Sequence, residues 1–417
     1  MHWLLIGYMF LFIHRPFEFW PMLGEMHIER VYIILVILCW LVAPGKRWIP
    51  NPLHAAYLFF ATCIAGAWLM SPWADRGQIV VENWFKILVF YFLLVTSVSN
   101  RRTLRLVVAG FLCVMFIYML HSLKEYVGGR HTYRMGIVRM LGIDSSLGDP
   151  NSFGASIVFA LPVVMAFWHS DRRKWLRAGV LSYIGLSILC ILLTGSRSSL
   201  LGLVVWGSWV VFRSKYRYSA ILAVTFLAPM AFFALPDSLQ TRFETIVNPD
   251  VGPENARTSG EGRLEGFFKG FELLAAYPLT GVGPGAWRPA TGSSLESHNL
   301  YGQLAGELGF LGIIAFSFIL WCFYRTWKDI RQRTRTAPQD DFVKHLNNAL
   351  MMGLFLLLFE GNFGHNLLRH NWLWYGGFLL IARYVVLREP STAPQRAVRP
   401  AVYQWHPRVQ AWQVRWQ

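Results

Sequence analysis

Three side chains in this sequence have the chemistry and the setting to act on an anionic substrate. Arg197 lies in LLTGSRSSLLG, a polar turn of a few residues between apolar runs. A guanidinium beside hydrocarbon is expensive and needs a partner. Its planar fork suits a phosphate or carboxylate, and Gly195, Ser196 and Ser198 add close approach and hydroxyl donors. The plainer reading is an arginine snorkelling to the membrane interface. Arg263 opens the segment GRLEGFFKGFELLAAYP. A cation at a helix start opposes the helix dipole, so a partner elsewhere is expected unless the residue is a solvated loop charge. His298 stands in SLESHNLYGQLAGELGFLG between Glu296 and Asn299. Histidine exchanges a proton near neutral pH, which suits a general base; the plainer reading is a histidine capping the helix that follows.

Weaker candidates surround these. Gly281, Gly283 and Gly285 in PLTGVGPGAW allow tight turns or close approach to a ligand. Without a following Gly-Lys-Ser/Thr and a preceding strand they do not form a nucleotide loop. Asp149-Pro150-Asn151 reads as a helix cap. Arg130, Arg134 and Arg139 read as solvated charges, with guidance of an anionic glycan or lipid phosphate as the alternative. His365 and His370 flank a turn between two apolar runs, near Glu360 in FEGNFGHNLLRHN. Cys39, Cys63, Cys113, Cys190 and Cys322 all lie in apolar runs with no Cys-x-x-Cys pair, which supports neither zinc nor a disulfide framework.

The elements that must hold these groups are membrane helices. Of 417 residues, 54% are hydrophobic and 15% charged, against roughly 25% charged in soluble proteins. So much apolar surface cannot be hidden behind so few charges, which excludes an ordinary soluble enzyme and a disordered chain. Spans of about 20 apolar residues are expected at 1–13, 28–44, 53–70, 79–98, 104–123, 152–168, 177–195, 199–212, 218–235, 300–324, 346–368 and 371–387. This predicts an all-α membrane protein with about twelve transmembrane helices. The first run lacks a basic leader and a cleavage site, so it reads as a retained span. Spans one to nine occupy 1–235, a long loop on the face opposite the basic runs 236–299, spans ten to twelve 300–388, and a basic cytoplasmic tail 389–417. Basic runs at 46–47, 101–105, 172–177, 213–217 and 325–335 fall on one side if every span crosses, and that side is then cytoplasmic. The loop 236–299 is partly helical, because Leu264, Phe267, Phe268, Phe271 and Leu274 recur at helical spacing among charges. The tail, with Trp405, Trp412 and Trp416, is suited to lipid headgroups.

The net charge of +16 follows from these cytoplasmic basic loops and calls for no nucleic acid. A lipid transporter would carry polar groups along its span interiors, whereas mid-span charges such as Glu82 and Lys86 are few. An intramembrane serine protease is suggested only by the short GSRS string, in which Arg197 would crowd an oxyanion site. The outward segments lack an Asp-x-Asp pair or clustered histidines, so neither a metal nor a cofactor is expected.

The order GDPNSFG (148–154), GSRSS (195–199), Arg263, PLTGVGPG (278–285) and HNLYGQLAGELG (298–309) resembles the O-antigen ligase and O-antigen polymerase family over most of the chain. The resemblance implies a glycosyltransferase of the bacterial inner membrane with a periplasmic active site. It implies an undecaprenyl-diphosphate-linked glycan as donor and lipid A-core or another hydroxyl as acceptor. Arg197 and Arg263 take the places of the arginines that hold the donor diphosphate, and His298 that of the general base. Glu296, Asn299, Glu307 and Glu360 are supporting candidates, with Glu360 nearest to the acidic residue that ligases often carry in a late span. A polymerase or a protein O-glycosylation ligase would need the same donor site.

Overall fold

In the computed structural model the residues described are 1–134, 137–145, 148–246, 248, 254–338, 341–388, 402–406 and 411–415; for 134, 254–261 and the two last segments this covers the backbone alone. The helices are α1 (His2–His14), α2 (Pro21–Glu25), α3 (Ile28–Val42), α4 (Pro52–Leu69), α5 (Ala74–Ser97), α6 (Arg101–Val127), α7 (Pro150–Ser170) and α8 (Lys174–Thr194). They continue as α9 (Arg197–Arg213), α10 (Arg217–Phe233), α11 (Asp237–Glu244), α12 (Glu254–Ala276), α13 (Trp287–Thr291), α14 (Leu300–Arg333), α15 (Phe342–Glu360) and α16 (Asn371–Arg388). Two small antiparallel hairpins complete the chain: β1 (His131–Arg134) with β2 (Ile137–Met140), and β3 (Val402–His406) with β4 (Ala411–Arg415). The rest of the tail after Arg388 lies outside the described residues.

Helix starts follow local chemistry. Asn51, Asn100, Asp149, Ser196, Asn299 and Asp341 each accept a backbone N–H of the first turn that has no partner within its own helix. At α4 and α7 a proline follows the cap, where its missing N–H costs nothing. The Asp149 cap expected from the sequence is formed.

α7 and α16 form the centre of the bundle, buried over nearly their whole length, as apolar character on every face demands. α15, α8 and α9 pack around α7, and α14 packs on α4, α12 and α16. Exposed Leu58, Phe85, Ile117, Leu189, Phe310, Trp321 and Phe355 give the outer surface the apolar character that lipid requires. Arg101–Asp341 at 2.6 Å, Arg105–Asp171 at 2.8 Å, Arg383–Asp329 at 2.7 Å and Arg47–Tyr384 at 2.9 Å tie the basic connections together at one end. The protein is thus a multi-pass membrane protein dominated by helix.

Seven of the twelve expected spans are helices long and apolar enough to cross a membrane: α4, α5, α6, α7, α8, α14 and α15. The others are shorter or less apolar among the described residues. α1 and α3 have 13 and 15 residues, and α9 and α10 have 17 each. α1 is packed against α6, with Leu5, Tyr8 and Met9 fully buried. Two boundaries also move. α14 runs on to Arg333, so the basic run at 325–335 is mostly helical extension. α15 stops at Glu360, which turns the end of the expected span 346–368 into a connection.

Candidate active site

The α8–α9 turn positions Arg197. Gly195, at φ +56°, closes α8 in the left-handed conformation, and the Ser196 hydroxyl caps α9. Two arginines from elsewhere bind the last carbonyls of α8. Arg139 of β2 donates from Nε to the Thr194 carbonyl at 2.7 Å, and Arg242 of α11 donates to the Gly195 carbonyl at 2.6 Å. Arg139 also donates to Asn151 Oδ1 at 2.8 Å and is 3% exposed, so it is a buried brace and not a solvated charge. Arg197 opens α9, half-buried, with Nη1 donating to the Thr245 hydroxyl at 3.0 Å.

α12 brings in Arg263 through a glycine crossing. Gly266 and Gly270 of α12 meet Gly302 of α14 with backbone against backbone, and a Cβ on Gly270 or Gly302 would overlap the opposing chain. Gly270→Val is therefore expected to undock α12, at a cost of about 1–3 kcal/mol for overpacking. Thermal unfolding in detergent checks this, with Gly262→Ala, at a position open on all sides, as the unaffected control. The same crossing sets Gly266 against His298, whose backbone nitrogen is 3.8 Å from the position a Cβ would take. Arg263, one turn before Gly266, lies over the Phe363 ring at 5.6 Å. Burial pulls its pKa down, the Arg197 charge adds to this, and Glu360 opposes it. The two guanidiniums and the Glu360 carboxylate thus share one electrostatic neighbourhood.

α14 is interrupted just after its first turns. Gly309 has φ 61° and ψ −162°, outside helical geometry. The glycine run fills the break: Val282 and Gly283 donate to the Gly306 and Glu307 carbonyls at 2.8 and 3.0 Å, while Phe310 and Leu311 donate to the Pro278 and Leu279 carbonyls at 2.8 and 3.2 Å. Gly281 and Gly283, at φ +65° and +99°, make the turns this requires, so these glycines serve a backbone splice. Asn299 Oδ1 is occupied in capping α14, accepting from Tyr301 and Gly302.

The connection 361–370, which sequence periodicity placed partly within a span, supplies the rest. The Leu300 N–H donates to the Gly361 carbonyl at 2.7 Å, holding the start of α14 against this turn. The His298 and His365 rings lie 5.2 Å apart at 33°. Burial pushes the His365 pKa down to about 4, helped by the charges of His298 and Arg369 and opposed by Asp149 and the Ser297 backbone. His365 is accordingly neutral at physiological pH.

Glu360 ends α15 at 2% exposure, against Gly202 of α9, where a Cβ would collide with its carboxylate. It bonds Ser198 and faces the charges of Arg369 and Arg263. Arg369, not singled out from the sequence, is 5% exposed and donates to Ser156 Oγ at 2.7 Å and to the Ser152 carbonyl. Its signal was a lone arginine in the short turn between the expected spans 346–368 and 371–387.

Beside the histidines opens a cavity of about 320 Å³, whose wall includes Arg15, Glu296, Gln303, Glu307, His365 and Arg369. Glu296 is paired with Arg288 at 2.9 Å, and burial raises its pKa. Glu307, 1% exposed, accepts from Gln303 Nε2 at 3.0 Å. Among the described residues, no three His, Cys, Asp or Glu side chains converge as metal ligands.

Arg263 thus feels the charges of Arg197 and Glu360, α12 sets Gly266, one turn after Arg263, against the His298 backbone, the His298 ring lies against His365, and Glu296 and Glu307 stand on the cavity wall. Cationic forks beside a base-competent imidazole can hold an anionic leaving group while a hydroxyl is activated. No curated protein matches the chain. Residues 182–317, about a third of the chain and containing Arg197, Arg263 and His298, match a family model described as O-antigen ligase.

Proposed function

We propose that the protein is a metal-independent, inverting glycosyltransferase of the bacterial inner membrane, acting at its periplasmic face as an O-antigen ligase. The donor is a glycan on undecaprenyl diphosphate and the acceptor a hydroxyl of lipid A-core. Arg197 and Arg263 bind the diphosphate oxygens bidentately. A lipid diphosphate is a good leaving group, so it needs charge neutralisation more than a strong general acid. The acceptor hydroxyl is a poor nucleophile, and His298 takes its proton as the new bond forms. The acceptor oxygen bonds to the anomeric carbon as the bond from that carbon to the diphosphate oxygen breaks. Undecaprenyl diphosphate leaves with the electron pair, the configuration inverts, and the proton on His298 passes to solvent.

The observation that carries this reading is the convergence of α9, α12, α14 and the 361–370 turn on Arg197, Arg263, Glu360 and the His298–His365 pair. Polymerase and protein O-glycosylation activities would use the same donor site. Proteoliposomes given a synthetic undecaprenyl-diphosphate glycan and lipid A-core are expected to yield a product of inverted anomeric configuration, at an unchanged rate in EDTA. Retention of configuration, or activity lost in EDTA and restored by Mg²⁺, would contradict the mechanism. Transfer to a second lipid-linked repeat in place of lipid A-core would make it a polymerase.

A further inference from the structure

The cavity beside His365 is a built polar site that the diphosphate chemistry does not use. Its wall comes from α1, α3, α5, α6, α7, α14 and the 361–370 turn, and neither α9 nor α12, which carry Arg197 and Arg263, contributes to it. It begins at Glu296 and His365, next to His298 in sequence and in space, and extends towards Phe12, Asn83 and Met115.

Its polar atoms are unequally satisfied. Gln303 donates from Nε2 to Glu307 Oε2, leaving Gln303 Oε1 without a hydrogen-bond partner, while the backbone of Gly285 and Trp287 also bonds the Glu307 carboxylate. On the 361–370 side, Arg369 Nε and His365 Nδ1 are likewise unpartnered. Arg369 is more than nine-tenths buried, where an unmet polar atom costs about 1–3 kcal/mol. One wall therefore offers an acceptor and the other at least one donor. A ligand that donates and accepts at several neighbouring points meets both, and vicinal hydroxyls do this. Glu29, Asp144, Glu296 and Glu307 outnumber Arg15 and Arg369 around the cavity, which disfavours a second diphosphate. Phe12, Ile13, Ile87 and Leu368 supply the apolar surface that a sugar ring covers. The volume falls at the small end of ligand pockets, roughly 300–1,000 Å³.

We infer that this cavity is a sugar subsite for the acceptor, which rests on the proposed function for its role and on the cavity itself for its chemistry. With the leaving diphosphate on the α9–α12 side, a nucleophile attacking from the opposite direction enters by the cavity side of His298. Gln303 accepts a hydrogen bond from one hydroxyl of the acceptor sugar, held in place by Glu307, and Arg369 donates to another. They are positioning residues: they hold the sugar so that one further hydroxyl faces the histidine.

The test uses the full-length protein in detergent and the methyl glycosides of glucose, galactose and N-acetylglucosamine as probes, read by saturation-transfer NMR. At least one glycoside is expected to bind, with affinity falling at least fivefold in Gln303→Leu and in the cavity-filling Leu368→Trp. Inorganic pyrophosphate, titrated separately, is expected to bind both variants as it binds the parent, which also shows that they are folded. In the transfer assay Gln303→Leu is expected to raise the acceptor KM while leaving the donor KM in place. No glycoside binding, or binding indifferent to both substitutions, overturns the subsite. Glycoside binding that behaves as expected in a protein that never binds pyrophosphate upholds the cavity as a sugar site and removes the diphosphate reading instead.

Discussion

Transfer by the His298→Ala protein is expected to fall by about 10²–10⁴-fold, with donor binding and thermal stability kept. The acceptor hydroxyl must lose its proton as it attacks, and the neighbouring imidazole is a poor substitute. His365 is held neutral by burial, with a pKa of about 4, and such an imidazole is a weak base. Its ring faces that of His298 across 5.2 Å, so it packs the base without replacing it. His298→Ala removes no helix cap, because Asn299 holds that role for α14. The measurement is single-turnover transfer in proteoliposomes beside a donor-binding isotherm. A rate near that of the parent at neutral pH would strip His298 of its role, and loss of donor binding with the rate would make it structural.

The second large effect is expected at the guanidiniums. Arg197→Ala and Arg263→Ala should each lower transfer by about 10²–10³-fold, the scale for one lost charge-stabilising group in a preorganised site. The lysine variants discriminate better. An ammonium keeps the charge and loses the planar fork, so Arg197→Lys and Arg263→Lys should recover little of the loss if each grips two oxygens. Full recovery in lysine would mean that charge alone is needed. Arg263 is the more sensitive position, because burial and the Arg197 charge both oppose its ionisation. An anionic ligand between the two relieves that repulsion, so donor titrations should show its affinity weakened in either variant.

Helix positions were legible because apolar runs and caps are local properties. The run 152–168 became α7 at Pro150–Ser170, started by the Asp149 cap that the Asp-Pro-Asn string announced. The amphipathic spacing from Leu264 to Leu274 became part of α12. What stayed hidden depends on partners distant in sequence. Arg139 looked solvated in a hydrophilic stretch, yet its bond to the Thr194 carbonyl lies 55 residues away. Arg369 stood unremarked in the turn between two expected spans, and its partners Ser152 and Ser156 lie more than two hundred residues earlier. Periodicity likewise cannot show a break such as Gly309, since LAGELGFLG stays apolar in helical register while the backbone leaves the helix. Arg197, Arg263 and His298 stood out because cationic or titratable groups bordering apolar runs are costly unless they are used. Their grouping needed the glycine crossing of α12 and α14.

The interruption at Gly309 also divides α14 into two halves with different surroundings. An unbroken α14 of 34 residues would be about 51 Å long, far more than the roughly 30 Å of a hydrocarbon slab. Below the break, Phe310, Leu311, Ile314, Trp321 and Tyr324 turn outward, just ahead of Arg325. Above it, no large apolar side chain from Leu300 to Leu308 is exposed. The outward apolar face of α14 therefore begins just after Gly309, while the nine residues preceding it face their own protein, with Gly302 and Gly306 against α12. A single glycine thus separates the part of α14 whose apolar side chains turn outward from the part that docks α12 and closes on the glycine run.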